Sequence, residues 1–178
     1  SNFIFDKNDV ININFDILGK KKDDYYYTIT HCDYKWNSSD ISKFEYIEGY
    51  DDIRIDNYFF SQNTYQSYTN FNFQIPNRSL KIKLDGNYII RVFDQNYNQI
   101  FERKIVLKDN VYNGIIKITR SKEIVDLPIS QNLQVVFTNL DNVIFNSSSE
   151  YKLSIVRNNN LKSNKIFSKP RLQTGSKL

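Results

Sequence analysis

The tract YYYTITHCDYKW, residues 25–36, holds the only His (His31), the only Cys (Cys32) and the only Trp (Trp36) of a 178-residue chain. A thiol beside an imidazole could serve nucleophilic catalysis, ligate a metal, or do neither and sit in a core. Nucleophilic chemistry needs a base within hydrogen-bond reach of the sulfur. Adjacent residues of a strand point to opposite faces, so Cys32 shares a face with Thr30 and Tyr34, and His31 shares one with Ile29 and Asp33. A zinc site fails for the same reason, because one Cys and one His on opposite faces do not converge on a tetrahedral ion. The expectation is therefore structural. Cys32 is a small buried hydrophobe, and His31 and Asp33 form a polar pair at the end of their strand.

Other residues offer as little chemistry. Trp36 beside Tyr25–Tyr27 could form a platform for a sugar ring, but a single Trp after a strand reads as a core plug. The acids of EYIEGYDDIRID (Glu45, Glu48, Asp51, Asp52, Asp56) lack the regular oxygen spacing of a calcium loop, and Arg54 interrupts them. No G-x-S-x-G, phosphate-cradling glycine loop or H-E-x-x-H is present, and the chain has 5 Gly in all. Neither catalytic residues, a metal, a cofactor nor a small-molecule substrate is expected.

The elements that carry these residues read as strands. VININF (Val10–Phe15), YYYTITHCDY, YTNFNFQI (Tyr68–Ile75), NYIIRVFD (Asn87–Asp94), QIFERKIVL (Gln99–Leu107), YNGIIKITR, NLQVVFTNL and EYKLSIVRN alternate apolar and polar residues between Asn/Asp/Gly turns. FDQNYNQIF reads as a hairpin with positive φ expected at Asn96 and Asn98. SSDISKFEY allows one helical turn capped by Ser38 or Ser39. In LDGNYIIRV, Asp85, Gly86 and Tyr88 suggest a tyrosine corner at the entry to a strand, with Ile90 where an antibody domain carries Cys. Composition agrees: 13 Tyr, 13 Phe, many Ile and no Ala or Met favour a pleated, half-buried surface. The fold class is all-β, an immunoglobulin- or fibronectin-like β-sandwich over 1–107, followed by a second β-rich unit over 108–178.

Charge divides the chain at the same place. Residues 1–107 carry a net −2 and residues 108–178 a net +6, with seven basic residues and no acid after Glu150. Without a recognition helix or zinc knuckle the basic stretch reads as a solvated surface, and no nucleic-acid partner is expected. No segment approaches the roughly 20 apolar residues of a bilayer span. The N-terminal SNFIFDKNDV lacks the basic and apolar regions of a signal peptide, and the final SKL reads as the cut end of a longer protein.

The motif positions then gain a collective meaning. Tyr27, Ile29, His31, Cys32, Asp33, Trp36 and Ser38, then Glu45, Tyr46 and Gly49, then Asp56, Tyr58, Ser61, Asn63 and Thr64, then Tyr68, Thr69, Ile75, Pro76 and Asn77, and finally Gly86, Asn87 and Tyr88 reproduce a succession of motifs. In that succession the chain resembles the N-terminal domain of the type 9 secretion system plug proteins of Bacteroidetes. The resemblance is weaker beyond 108, where SIVRNNNLKSNKIFSKPRL has Arg157 in place of Gln and lacks a Trp. Family members are longer, which implies a second domain truncated here.

The resemblance implies a non-enzymatic periplasmic protein, its signal removed. Its partner would be a large outer-membrane β-barrel translocon, whose mouth it closes without spanning the membrane itself. It implies no cofactor. Ser61, Asn63 and Thr64, polar and in a loop, are its expected contact residues. The rival reading from composition is a carbohydrate-binding or adhesion sandwich.

Overall fold

The computed structural model describes residues 3–19, 23–109, 112–121, 131–139 and 152–168. The chain divides into two compact units, with the boundary after Asp109.

The first unit is built from β1 (Ile4–Asp6), β2 (Ile11–Leu18), β3 (Tyr25–Cys32), the single helical turn α1 (Lys43–Tyr46), β4 (Ile47–Gly49), β5 (Ile53–Arg54), β6 (Tyr58–Phe60), β7 (Tyr68–Ile75), β8 (Leu80–Ile82), β9 (Gly86–Asp94) and β10 (Gln99–Lys108). One sheet runs β1-β10-β9-β3-β5, a second β2-β7-β6, and β4 pairs with β8. β1 lies parallel to β10, with Ile4 against Val106. β3 and β9 are antiparallel, with Ile29 opposite Ile90 and His31 opposite Tyr88.

The period-2 pattern sets this architecture. Tyr25, Tyr27 and Ile29 on β3, Tyr88, Ile90 and Val92 on β9, and Ile105 and Leu107 on β10 turn one face of the large sheet inward. Ile11 and Ile13 on β2 and Phe71, Phe73 and Ile75 on β7 join the same buried cluster from the three-stranded sheet. A one-residue slip of either strand would turn these side chains to solvent, so burial fixes the register. Aromatic rings bridge the two sheets: Tyr27 stacks on Phe73 at 4.2 Å between centroids, and Tyr25 meets Phe71 edge-on at 4.7 Å. Each such pair adds about 0.5–1.5 kcal/mol beyond the area it buries.

Several details depart from expectation. The helical turn is capped by Ser42, whose N–H donates to the Glu45 carboxylate (3.2 Å), rather than by Ser38 or Ser39. In the β9–β10 turn the positive φ falls on Tyr97 (+61°), between Asn96 and Asn98. The Asp94 carboxylate causes this. Its Oδ1 accepts from the N–H groups of Asn96 (2.8 Å) and Asn98 (2.9 Å), and Tyr97 N–H donates to the Asp94 carbonyl (3.0 Å). With the residues on either side of it tied to one carboxylate, Tyr97 must supply the left-handed step.

In the second unit β11 (Tyr112–Arg120) pairs antiparallel with β12 (Gln131–Asn139), and β13 (Lys152–Ile155) with β14 (Lys165–Ser168). A 3-10 turn, Leu161–Ser163, starts at Asn160, whose side chain accepts from Lys162 N–H. The Lys169-Pro170-Arg171 end of the resembling segment and the final SKL lie outside the described residues.

Candidate functional site

Several of the motif positions gather at one corner of the first unit, where β3 ends, β9 begins and α1 meets β3. The His31 ring is half-buried. Its Nδ1 shares a hydrogen bond with Ser39 Oγ (2.8 Å), its face meets Tyr88 edge-on (5.0 Å) and it tilts against Tyr46 (5.7 Å). Gly86 makes this possible. Its φ is +134°, and a Cβ there would lie 2.6 Å from His31 Nε2, below any real contact.

The tyrosine corner forms as expected. Tyr88 is fully buried and its hydroxyl donates to the Leu84 carbonyl (2.8 Å). Burial, then the nearby Asp85 charge, pushes its phenol well above the usual value.

Cys32 is buried but on the face away from the main core, beside Thr30, whose carbonyl lies 3.6 Å from the sulfur. Desolvation raises its pKa, and the positive charges of Arg91 and Lys104 only partly oppose this. A raised pKa disfavours the nucleophilic thiolate. His31 and Asp33 do not form the expected polar pair. The Asp33 Oδ1 instead accepts from the N–H groups of Lys35 (2.8 Å) and Asn37 (2.9 Å). Desolvation pulls the Asp33 carboxyl up, but these hydrogen bonds and the Asn37 amide outweigh it, and its pKa is lowered. Asn87 donates to the Asp33 carbonyl (3.0 Å) and ties the turn to β9.

Trp36 is not a core plug. It takes φ +71° in the Asp33 turn, is half-buried, and has the Lys104 ammonium 5.3 Å from its ring centroid. The two turns DYKWN and DQNYN are thus one device used twice: an Asp clamps the turn, an aromatic residue takes the left-handed position, and a closing Asn amide returns to the Asp carboxylate (3.3 and 2.9 Å). Sequence reading missed this repeat, although Asp-x-x-aromatic-Asn is legible in both places.

The remaining motif positions are also knitted into the fold. Tyr27 accepts at its hydroxyl from Asn77 Nδ2 (2.6 Å), and the Asn77 carbonyl oxygen Oδ1 accepts from Ser79 and Leu80 N–H (2.8 and 3.0 Å). Asn77 follows Pro76, whose bond to Ile75 is cis. Tyr46 is buried on α1. Gly49, at φ +109°, faces the Ser79 carbonyl so closely that any Cβ would collide with it. Ser61 is buried; its Oγ accepts from Tyr68 N–H (2.9 Å) and from Thr64 Oγ1 (3.1 Å), and Asn63 turns the loop at φ +54°. Asn63, Thr64 and Tyr65 of this loop are exposed, Tyr65 being its exposed aromatic residue.

What the corner can do chemically is limited. Among the described residues no cluster of three or more His, Cys, Asp or Glu could hold a metal ion. The acids of the 45–56 tract have other partners: Asp51 pairs with Lys43, and Asp52 accepts from the Tyr97 hydroxyl (3.2 Å). Among the described residues no helix is long and apolar enough to cross a membrane.

Comparison with known proteins agrees with this picture of a shared framework. The model of the type 9 secretion system plug protein 1st domain matches residues 3–109. A crystal structure of a hypothetical protein from Parabacteroides merdae ATCC 43184 superposes with a TM-score of 0.84 at 25% identity, over 93% of this chain and 43% of that one. The chain therefore spans less than half the length of that protein. No curated protein matches it. On the match of its first 109 residues, the chain belongs to the type 9 secretion system plug protein family, whose first domain it contains.

Proposed function

We propose that the chain is a periplasmic plug that closes the outer-membrane translocon of the type 9 secretion system by binding it, without catalysis. The observation that carries this reading is the family match over residues 3–109. The corner supports it physically. The only thiol is buried with a raised pKa, and the only imidazole is tied to Ser39. The family-motif positions maintain a rigid shape, and docking falls to exposed groups such as Tyr65 at the Ser61–Thr64 loop and Phe59 on β6. Release would follow when the cargo-loaded translocon no longer offers the same docking surface.

Within this reading the first unit is an immunoglobulin- or fibronectin-like sandwich, to which the tyrosine corner and the facing of two largely antiparallel sheets are suited. The second unit, over 108–178, is a second β-rich domain. The test is deletion of the gene. Cells lacking the plug should admit large molecules, such as a vancomycin-sized antibiotic, through the idle translocon. Wild-type impermeability after deletion would refute the gating role.

A further inference from the structure

The free edge of β2 is unlike the other edges of the first unit. β1 and β6 have three residues each and β5 has two, whereas β2 runs for eight residues in unbroken register with β7. Among the described residues β7 is the only strand paired with it. It carries no Pro, no Lys and no bulge, the devices that usually blunt an edge. Phe15 and Ile17 point inward from it yet stay only half-buried.

Its outward row is self-complementary. Val10, Asn12, Asn14, Asp16 and Leu18 share the solvent face, with Val10 and Leu18 exposed at the ends. Asn12 Oδ1 accepts from Gln74 (2.8 Å) and Asp16 Oδ1 accepts from Asn70 (2.6 Å). Among the described residues these are the side-chain bonds of the two, which leaves the Asn12 amide N–H₂ to donate and Asp16 Oδ2 to accept.

We propose that this edge binds a second copy of the chain, β2 against β2, antiparallel across a twofold axis at Asn14. That register sets Asn12 opposite the partner's Asp16, Val10 opposite the partner's Leu18, Ile13 opposite the partner's Phe15 and Ile11 opposite the partner's Ile17. The open donor meets the open acceptor, the exposed apolar ends meet each other, and no like charges face. Moving the axis to Asp16 would place two carboxylates opposite one another. An isologous strand pair of this kind joins two three-stranded sheets into one of six.

Sedimentation equilibrium of the 178-residue chain tests it. The mass should rise from 21.2 kDa toward twice that value with concentration. Asn12→Lys places an ammonium opposite the partner's Asp16 twice and should tighten association, by about tenfold, whereas Asn12→Asp should weaken it by a similar factor. Asn14→Lys, which sets two ammoniums across the axis, should give a monomer with an unchanged melting temperature. A chain that stays monomeric at millimolar concentration overturns the proposal, as does equal weakening by Asn12→Lys and Asn12→Asp.

Discussion

The His31 imidazole fills the space that a side chain at Gly86 would need. Nε2 lies 2.6 Å from where a Cβ would stand, and the Gly86 backbone at φ +134° is one that side chains rarely adopt. Two family-motif positions 55 residues apart in the sequence are thus one packing decision. Gly86→Ala should cost about 2–4 kcal/mol of folding stability. Adding His31→Ala should recover about 1 kcal/mol by removing the clash while leaving the backbone strain. Urea unfolding of the two single variants and the double variant measures this coupling; additive losses would mean that the ring does not set the requirement for Gly.

Tyr88→Phe keeps the ring and leaves the Leu84 carbonyl without its donor. The expected loss is about 1–2 kcal/mol, read from denaturant midpoints at unchanged m-value.

The same hydroxyl gives a pH dependence. Burial raises the phenol pKa of Tyr88, and also those of Tyr27, Tyr46 and Tyr25. A group with a raised folded pKa keeps its proton in the native state after the unfolded chain has lost it. Its contribution is full below the unfolded value, about 10, and is lost as pH rises beyond it. Melting temperatures should fall steeply above about pH 10, and the fall should be shallower in Tyr88→Phe. A flat profile to pH 12 would contradict the burial of these phenols.

Cys32 should resist a thiol reagent in the native protein and react stoichiometrically once denatured, because the sulfur is buried and its pKa raised. Absorbance on adding a disulfide reagent at pH 8 follows this. Reaction within seconds in the native state would reopen the case for a reactive thiol.

Trp36→Ala should cost about 1–2 kcal/mol, below the 3–5 kcal/mol of a fully buried ring, because this side chain is only partly buried and lies outside the main core. Calorimetric unfolding checks the figure. A larger loss would mean that the ring plugs a core after all.

Much of the fold is legible in the sequence because strands half-exposed to water print their alternation directly. YTNFNFQI and YNGIIKITR become β7 and β11 with their limits unchanged, and NYIIRVFD needs only Gly86 added to become β9. The short strands β1, β4, β5, β6 and β8 escape such reading, since two or three residues cannot show a period and their pairing comes from the neighbours. The tyrosine corner is readable from Asp85, Gly86 and Tyr88, but the reason for Gly86 is not. It lies in His31, which only the pairing of β3 with β9 brings near. The expected His31–Asp33 pair fails because β3 ends at Cys32 and the Asp33 carboxylate accepts from two N–H groups of the turn that follows, while the imidazole bonds Ser39. Of the expected contacts, Ser61 is buried and its hydroxyl holds the loop together, while Asn63 and Thr64 stay exposed; that division depends on the fold of the loop and is not written in the polarity of the three residues.

The central claim, that the chain works by docking on a secretion barrel, is tested most directly by affinity purification from detergent-solubilised cell envelopes, using the tagged full-length protein and a tagged unrelated periplasmic protein as control. The account predicts that one large outer-membrane β-barrel protein co-purifies with the chain in near-stoichiometric amount and is absent from the control. Recovery of the chain without any outer-membrane barrel protein would contradict it.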